Sequence, residues 1–205
     1  MDQTPRSFAA HAAHQHGDRA DRPFATAAHV SGLGWFAAGT LIDTNLGQRR
    51  VERLARGDKV WTADAGFQPI RWIAARKVSK ADQEADMTLR PVCMQAGALG
   101  PGCPAQDLYL SQQQRVCITG LQAVVLFGAQ PVLKAAQALV NDQSVRIMPP
   151  SDDVTFVHFL LDRHHIVRAN GQESESSISG KGVLCDMAQG LTMTDTRADG
   201  GQLAR

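Results

Sequence analysis

Apolar residues along this chain fall in short clusters separated by turn formers. Leu41 and Ile42 precede Asn45 and Gly47, and Val51 and Leu54 precede Gly57-Asp58. Val60 and Trp61 precede Asp64-Ala65-Gly66, and Ile70, Trp72 and Ile73 follow Pro69. Strands of about four to six residues at this spacing predict an all-β domain of hairpins. Val51 to Arg56 has the period of one short helical turn. Residues 96–104 (AGALGPGCP) predict a loop, because prolines and glycines break both regular structures. The stretch DLYLSQQQRVCI, Asp107 to Ile118, alternates apolar side chains at Leu108, Leu110, Val116 and Ile118 and predicts a strand. Val124 to Phe127 is a second apolar run. In VLKAAQALVN, Val132 to Asn141, the residues Leu133, Ala136, Leu139 and Val140 share one helical face, so one short helix is expected there. Phe156 to Leu161 and His165 to Val167 predict two further strands, and Asn170-Gly171 is a hairpin turn.

The ends lack this regularity. Residues 1–33 are rich in Ala, His, Asp and Arg and are expected to form a flexible arm. One domain is expected over 34–180. A loose tail follows over 181–205, with at most one docked segment at Val183-Leu184-Cys185. A hydrophobic fraction of 43% suffices for a core, and 21 Lys and Arg nearly balance 20 Asp and Glu. That balance gives no basis for nucleic-acid or membrane-surface binding. No apolar run approaches the ~20 residues of a membrane-spanning helix. The polar first thirty residues lack a secretory core, which points to the cytoplasm or a non-Sec export route. Cys93, Cys103, Cys117 and Cys185 form no CxxC pair and are expected as free, mostly buried thiols.

Several segments in order carry a resemblance over roughly residues 35–177. They are GTLI (39–42), VERLARGDKV (51–60), QPIRW (68–72), AGALGPG (96–102), DLYLS (107–111), LKAAQALV (133–140), VHFLLDRHHIV (157–167) and ANGQESES (169–176). Together they resemble the Hint domain of Hedgehog proteins and inteins, in a bacterial, Hedgehog-type branch. The resemblance implies an antiparallel, horseshoe-like fold of two pseudo-symmetric halves. It also implies a self-processing site. In Hint domains a leading cysteine attacks the carbonyl before it and the peptide rearranges to a thioester, which splits a hard amide cleavage into easier steps.

Position by position, this chain departs from that chemistry. The matching bond is Gly34–Trp35, and an indole N–H donates a hydrogen bond but cannot attack a carbonyl. The family's activating histidine lies in a motif resembling SPxHRV. Here Ser111 to Val116 reads SQQQRV, so Gln114 stands at the histidine and Gln112 at the proline. Glu175-Ser176 stands where an intein carries His-Asn. His164 matches a histidine of the family's late DRH segment, accompanied by Asp162. Trp35, Thr40, Ser111, Gln114, Asp162 and His164 are therefore expected as vestiges of one site, gathered where Trp35, Ser111–Gln114 and Asp162–His165 meet. Catalytic groups act as a unit, so loss of the nucleophile removes most of the effect.

Each feature also has a plainer account. Trp35 suits a core position, and Thr40 beside Gly39 suits a turn. His11, His14 and His16 form HxxHxH, a weak metal candidate without a carboxylate or cysteine partner at metal spacing. In a strand, His164 and His165 point to opposite faces, one exposed and one inward. Glu173 and Glu175 share a face and are expected to be solvated. No cofactor is implied. Three functions remain open: a degenerate, non-cleaving Hint domain that binds an unidentified protein partner or serves structurally; residual cleavage at Gly34–Trp35; and metal or ligand binding through the His-rich arm.

Overall fold

The computed structural model describes residues 25–26, 34–128 and 131–176. The strands are β1 (Ala25–Thr26), β2 (Phe36–Ala37), β3 (Leu41–Thr44), β4 (Gly47–Arg50), β5 (Lys59–Thr62), β6 (Gly66–Pro69), β7 (Trp72–Val78) and β8 (Val92–Met94). They continue as β9 (Leu108–Leu110), β10 (Arg115–Ile118), β11 (Val132–Ala135), β12 (Val145–Ile147), β13 (Val154–Leu160), β14 (His165–Ala169) and β15 (Gln172–Ser176). The first sheet runs β1-β7-β13-β2-β9-β8-β12, and the second runs β11-β10-β15-β14-β3-β5-β6 with β4 paired to β3. All these pairings are antiparallel except β1 with β7. The fold is mainly β, as the alternation of short apolar clusters and turns predicts.

The main core holds Ile42, Val51, Val60, Ile70, Leu108, Leu110, Val116, Val157, Phe159 and Val167, drawn from both sheets. A smaller cluster packs Trp35 and Ala37 against Ala74, Val78, Val154 and Phe156. Strand β13 serves both. Its side chains alternate, so Val157 and Phe159 face the main core while Val154 and Phe156 face the smaller one.

The hairpin at Asn170-Gly171 forms as expected, with both residues at positive φ (48° and 80°). Asn170 also ties the fold together: its carboxamide oxygen accepts from the Leu41 N–H (2.7 Å) and its amide donates to the Asp107 carbonyl (2.9 Å). The turn at Val51–Arg53 is a single 3-10 turn.

Two expectations are corrected. The helix expected over 132–141 is instead β11 followed by a 3-10 turn at Ala136–Leu139. Pairing with β10 from Arg115↔Ala135 to Ile118↔Val132 satisfies that backbone, and the apolar side chains still reach the core through Ala136, Leu139 and Val140. The helices lie elsewhere. α1 (Lys80–Ala85) starts at a capping box in which Ser79 and Asp82 bond reciprocally, and α2 (Gly120–Phe127) absorbs the apolar run at 124–127. Second, the strand expected from Asp107 to Ile118 breaks into β9 and β10, which belong to different sheets. The break is a turn closed by the Gln114 N–H on the Ser111 carbonyl (3.0 Å). Within the span expected as an arm, Ala25 and Thr26 pair in parallel with Ala74 and Ala75, using the outer edge of β7. The expected tail over 181–205 lies outside the described residues.

Candidate functional site

Gly34 and Trp35 enter the first sheet just ahead of β2. That strand pairs on one side with β13 (Phe36↔Val157, Ala37↔Phe156) and on the other with β9 (Phe36↔Leu110). One step back in this register, Trp35 faces His158 of β13 and meets the turn after β9. The break between β9 and β10 therefore places Ser111 and Gln114 against the Gly34–Trp35 peptide.

Three side chains contact that peptide. The Trp35 N–H donates to Ser111 Oγ at 2.9 Å, and the Ser111 N–H returns a bond to the Trp35 carbonyl at 2.9 Å. His158 Nδ1 lies 2.6 Å from the Gly34 carbonyl oxygen. Gln114 presses on Gly34 itself. A Cβ at position 34 would fall 2.7 Å from the Gln114 Cα, and its side-chain oxygen is closer still. Only glycine fits there. Gly34→Ala is expected to destabilise the domain by about 1–3 kcal/mol through overpacking against backbone. Chemical denaturation checks this, and a loss below ~0.5 kcal/mol would mean that the turn yields freely.

The proton on His158 is fixed by its surroundings. A carbonyl oxygen only accepts, so Nδ1 carries the hydrogen, and the ring is the Nδ1–H tautomer. Burial pushes the His158 pKa down to about 4, partly opposed by the Gly34 bond, so the ring is neutral at pH 7. The ring lies against two indoles, with centroids 5.1 Å from Trp35 and 5.9 Å from Trp72. Its Nε2 is buried without a hydrogen-bond partner.

Gln114 has no such role. Its amide nitrogen donates to the Arg115 carbonyl (3.0 Å) and the Glu175 carbonyl (2.9 Å), which fixes its orientation and leaves its buried oxygen without a partner. Trp35 is 6% exposed, with its indole in the smaller core. The Thr40 hydroxyl donates to the Ala37 carbonyl at 2.7 Å and serves the turn.

The late segment reaches this peptide only indirectly. Asp162 makes a two-pronged pair with Arg71 at the surface, 2.7 Å on each arm, and those hydrogen bonds hold its carboxyl below the usual value. His164 Nε2 bonds the Glu175 carboxylate, and Glu175 in turn holds Gln114 through its main chain. His165 is buried and meets the Asp64 carboxylate at 2.8 Å, while His164 is partly exposed, so the pair does split between faces. Glu175 is not solvated as expected: it is 8% exposed, between His164 and Arg115. The group that does touch the Gly34 carbonyl, His158, was not singled out from the sequence. Its signal was present, as a lone titratable residue inside the apolar run of β13.

Cys93 and Cys117 are buried free thiols, and Cys103 is a partly buried one. Burial raises the pKa of Cys93 and of Cys117, which keeps both protonated. Among the described residues, no group of three or more His, Cys, Asp and Glu side chains is placed to hold a metal ion. His11, His14 and His16 lie outside the described residues. Also among the described residues, no helix is long and apolar enough to cross a membrane.

The Gly34–Trp35 peptide is thus held at the head of a central strand, with its carbonyl and its N–H each engaged by a side chain. Residues 35–181 match the Hint domain model, and the chain belongs to the Hint family. Among solved structures, the chain is similar to a bacterial intein-like domain from Clostridium thermocellum, with 12% identity and a TM-score of 0.48 over 70% of this chain and 98% of that one. It is also similar to a DnaB intein from Synechocystis sp. PCC 6803, with 10% identity and a TM-score of 0.45 over 71% of this chain and all of that one. A comparison with curated protein sequences found no match.

Proposed function

We propose that this Hint domain does not cleave itself and serves as a structural or protein-binding module. The observation that carries this is the absence, among the described residues, of an attacking group on the Gly34–Trp35 carbonyl. The Trp35 indole packs in the core and has no lone pair to offer. Ser111 Oγ accepts the Trp35 N–H, so it lies near the peptide plane, whereas attack on a carbonyl carbon comes from above that plane. The Thr40 hydroxyl is engaged with the Ala37 carbonyl. General acid–base help is worth ~10²–10⁴-fold, but only where a nucleophile exists to be helped.

Intact mass spectrometry of the purified chain, with and without dithiothreitol, tests this. A full-length mass in both samples is expected. A fragment beginning at Trp35 that grows with thiol would overturn it.

Residual cleavage at Gly34–Trp35 is the second function that an observation favours, since His158 and Ser111 still engage the bond. The nearly neutral chain favours a protein over a nucleic acid as partner.

A further inference from the structure

We propose that Cys103 is a modification site for small disulfides that carry an ammonium group, which the Glu173 carboxylate holds in a cavity between the β14–β15 hairpin and the loop over 96–104. None of the residues lining that cavity contacts the Gly34–Trp35 peptide, so the proposal is independent of whether the domain cleaves itself.

The fold builds the cavity from segments far apart in sequence. The loop packs onto the Asn170-Gly171 turn: the Ala105 N–H donates to the Asn170 carbonyl at 2.8 Å, and a Cβ at Gly171 would fall 3.1 Å from the Ala105 Cβ. Leu99 and Ile118 give the cavity an apolar wall, and its volume of about 340 Å³ suits a small ligand. Two thiols line it. Cys103 is partly exposed and fixed by its main chain, whose N–H donates to the Gly100 carbonyl (3.0 Å) and whose carbonyl accepts from the Leu99 N–H (2.8 Å). Cys117 is buried, and its burial and the nearby Glu173 carboxylate keep it protonated. A thiolate is the form that attacks a disulfide, so Cys103 is the one of the two placed to react.

Charge selects the reagent. Arg168 and Glu173 are cross-strand partners in β14 and β15, a placement at which opposite charges usually pair. Here Arg168 turns instead to Asp43 (3.4 Å) and lies over the Trp61 ring, 4.1 Å from its centre. Both Arg168 and Glu173 line the cavity, but the arginine's charge is met by Asp43, whereas among the described residues the Glu173 carboxylate forms no ion pair. Gln172, 3% exposed, adds a neutral acceptor on the same wall. Its amide nitrogen donates to the Cys117 and Glu173 carbonyls (2.7 and 2.9 Å), which leaves its oxygen for an incoming N–H. A free carboxylate, an amide oxygen and an accessible thiol in one cavity match an aminothiol, with its ammonium on Glu173 and its sulfur on Cys103.

In the reaction the Cys103 thiolate attacks one sulfur of the disulfide. A Cys103 Sγ–S bond forms and the reagent's S–S bond breaks. The other half leaves as a thiolate and takes up the proton that Cys103 gave up. The reagent is the oxidant: the Cys103 sulfur is oxidised and the departing sulfur is reduced.

The test treats the full chain with cystamine or with bis(2-hydroxyethyl) disulfide, which differ chiefly in the ammonium, and reads the rate at each cysteine by digestion and mass spectrometry. The same chain unfolded in urea supplies the intrinsic ratio of the two reagents. Folded Cys103 is expected to favour cystamine by at least about threefold beyond that ratio, the weight of one partly screened ion pair. The excess should vanish in E173Q, checked for folding by circular dichroism. It should also shrink in wild type at about 1 M salt, where the Debye length is about 3 Å. An excess below about threefold, an excess that survives in E173Q or is unchanged by salt, or a folded Cys103 that does not react would overturn the proposal. Should E173Q fail to fold, the salt dependence of wild type decides by the same criterion.

Discussion

Trp35→Ala is expected to lower the unfolding free energy by about 3–5 kcal/mol, the usual range for truncating a buried tryptophan. The indole is 6% exposed and joins Ala37, Ala74, Val78, Val154 and Phe156 in one cluster. Its removal takes away apolar burial and leaves a cavity between rigid strands of the first sheet. The melting temperature should fall by roughly 6–20 °C, at ~2–4 °C per kcal/mol. Phe67→Ala is the control: Phe67 is 48% exposed on the edge strand β6, and its loss should stay near ~0.5 kcal/mol. Urea denaturation of both variants measures the contrast. Similar losses in the two would show that Trp35 is not a core residue, and the account of its indole as core packing would fall with it. A large difference means that Trp35 is a packing residue of the smaller core.

The second large effect is a pH dependence assigned to His158. Its pKa is about 4 in the folded chain, against an ordinary value of 6.5. Above pH 6.5 the ring is neutral in both states, and its contribution to stability is intact. As the pH falls from 6.5 towards 4, the unfolded chain binds a proton that the folded chain refuses, so stability falls. About 2.5 pH units at 1.36 kcal/mol each give a loss of about 3 kcal/mol, complete once the pH passes below 4. His158→Asn removes this ring and should flatten the wild-type slope in that window by the same amount, as read from urea unfolding at several pH values. The other histidines cancel in the difference. Surface carboxylates such as Asp82, Asp153 and Asp162 have their values lowered by hydrogen bonds, and their contribution is lost at lower pH. An unchanged slope in His158→Asn would show that the ring is not buried neutral.

Much of the fold was legible in the sequence because it rests on local rules. Turn formers such as Asn170-Gly171 fix a hairpin through their own backbone preferences. Alternating apolar residues mark strands with one buried face. The errors came where local and long-range demands conflict. VLKAAQALVN has a helical face, but the free edge of β10 offers that segment hydrogen bonds that an isolated helix would not exceed. DLYLSQQQRVCI keeps a strand's alternation across a turn, since Leu110 and Val116 are both apolar and both buried, though in different sheets.

The candidate site divides the same way. The sequence by itself determined that position 35 carries no thiol, that Gln114 cannot carry a proton, and that a Hint framework surrounds them. These are matters of residue type, and residue type limits chemistry whatever the fold. Only the tertiary structure decided which groups touch the Gly34–Trp35 peptide. Ser111 and Gln114 arrive through a turn between sheets, and His158 through antiparallel register more than a hundred residues along the chain. Asp162 and His164, adjacent in sequence to the expected centre, turn instead to Arg71 and Glu175. Contact across a sheet depends on strand order and register, which follow from the packing of the whole domain and leave no mark at the residue concerned.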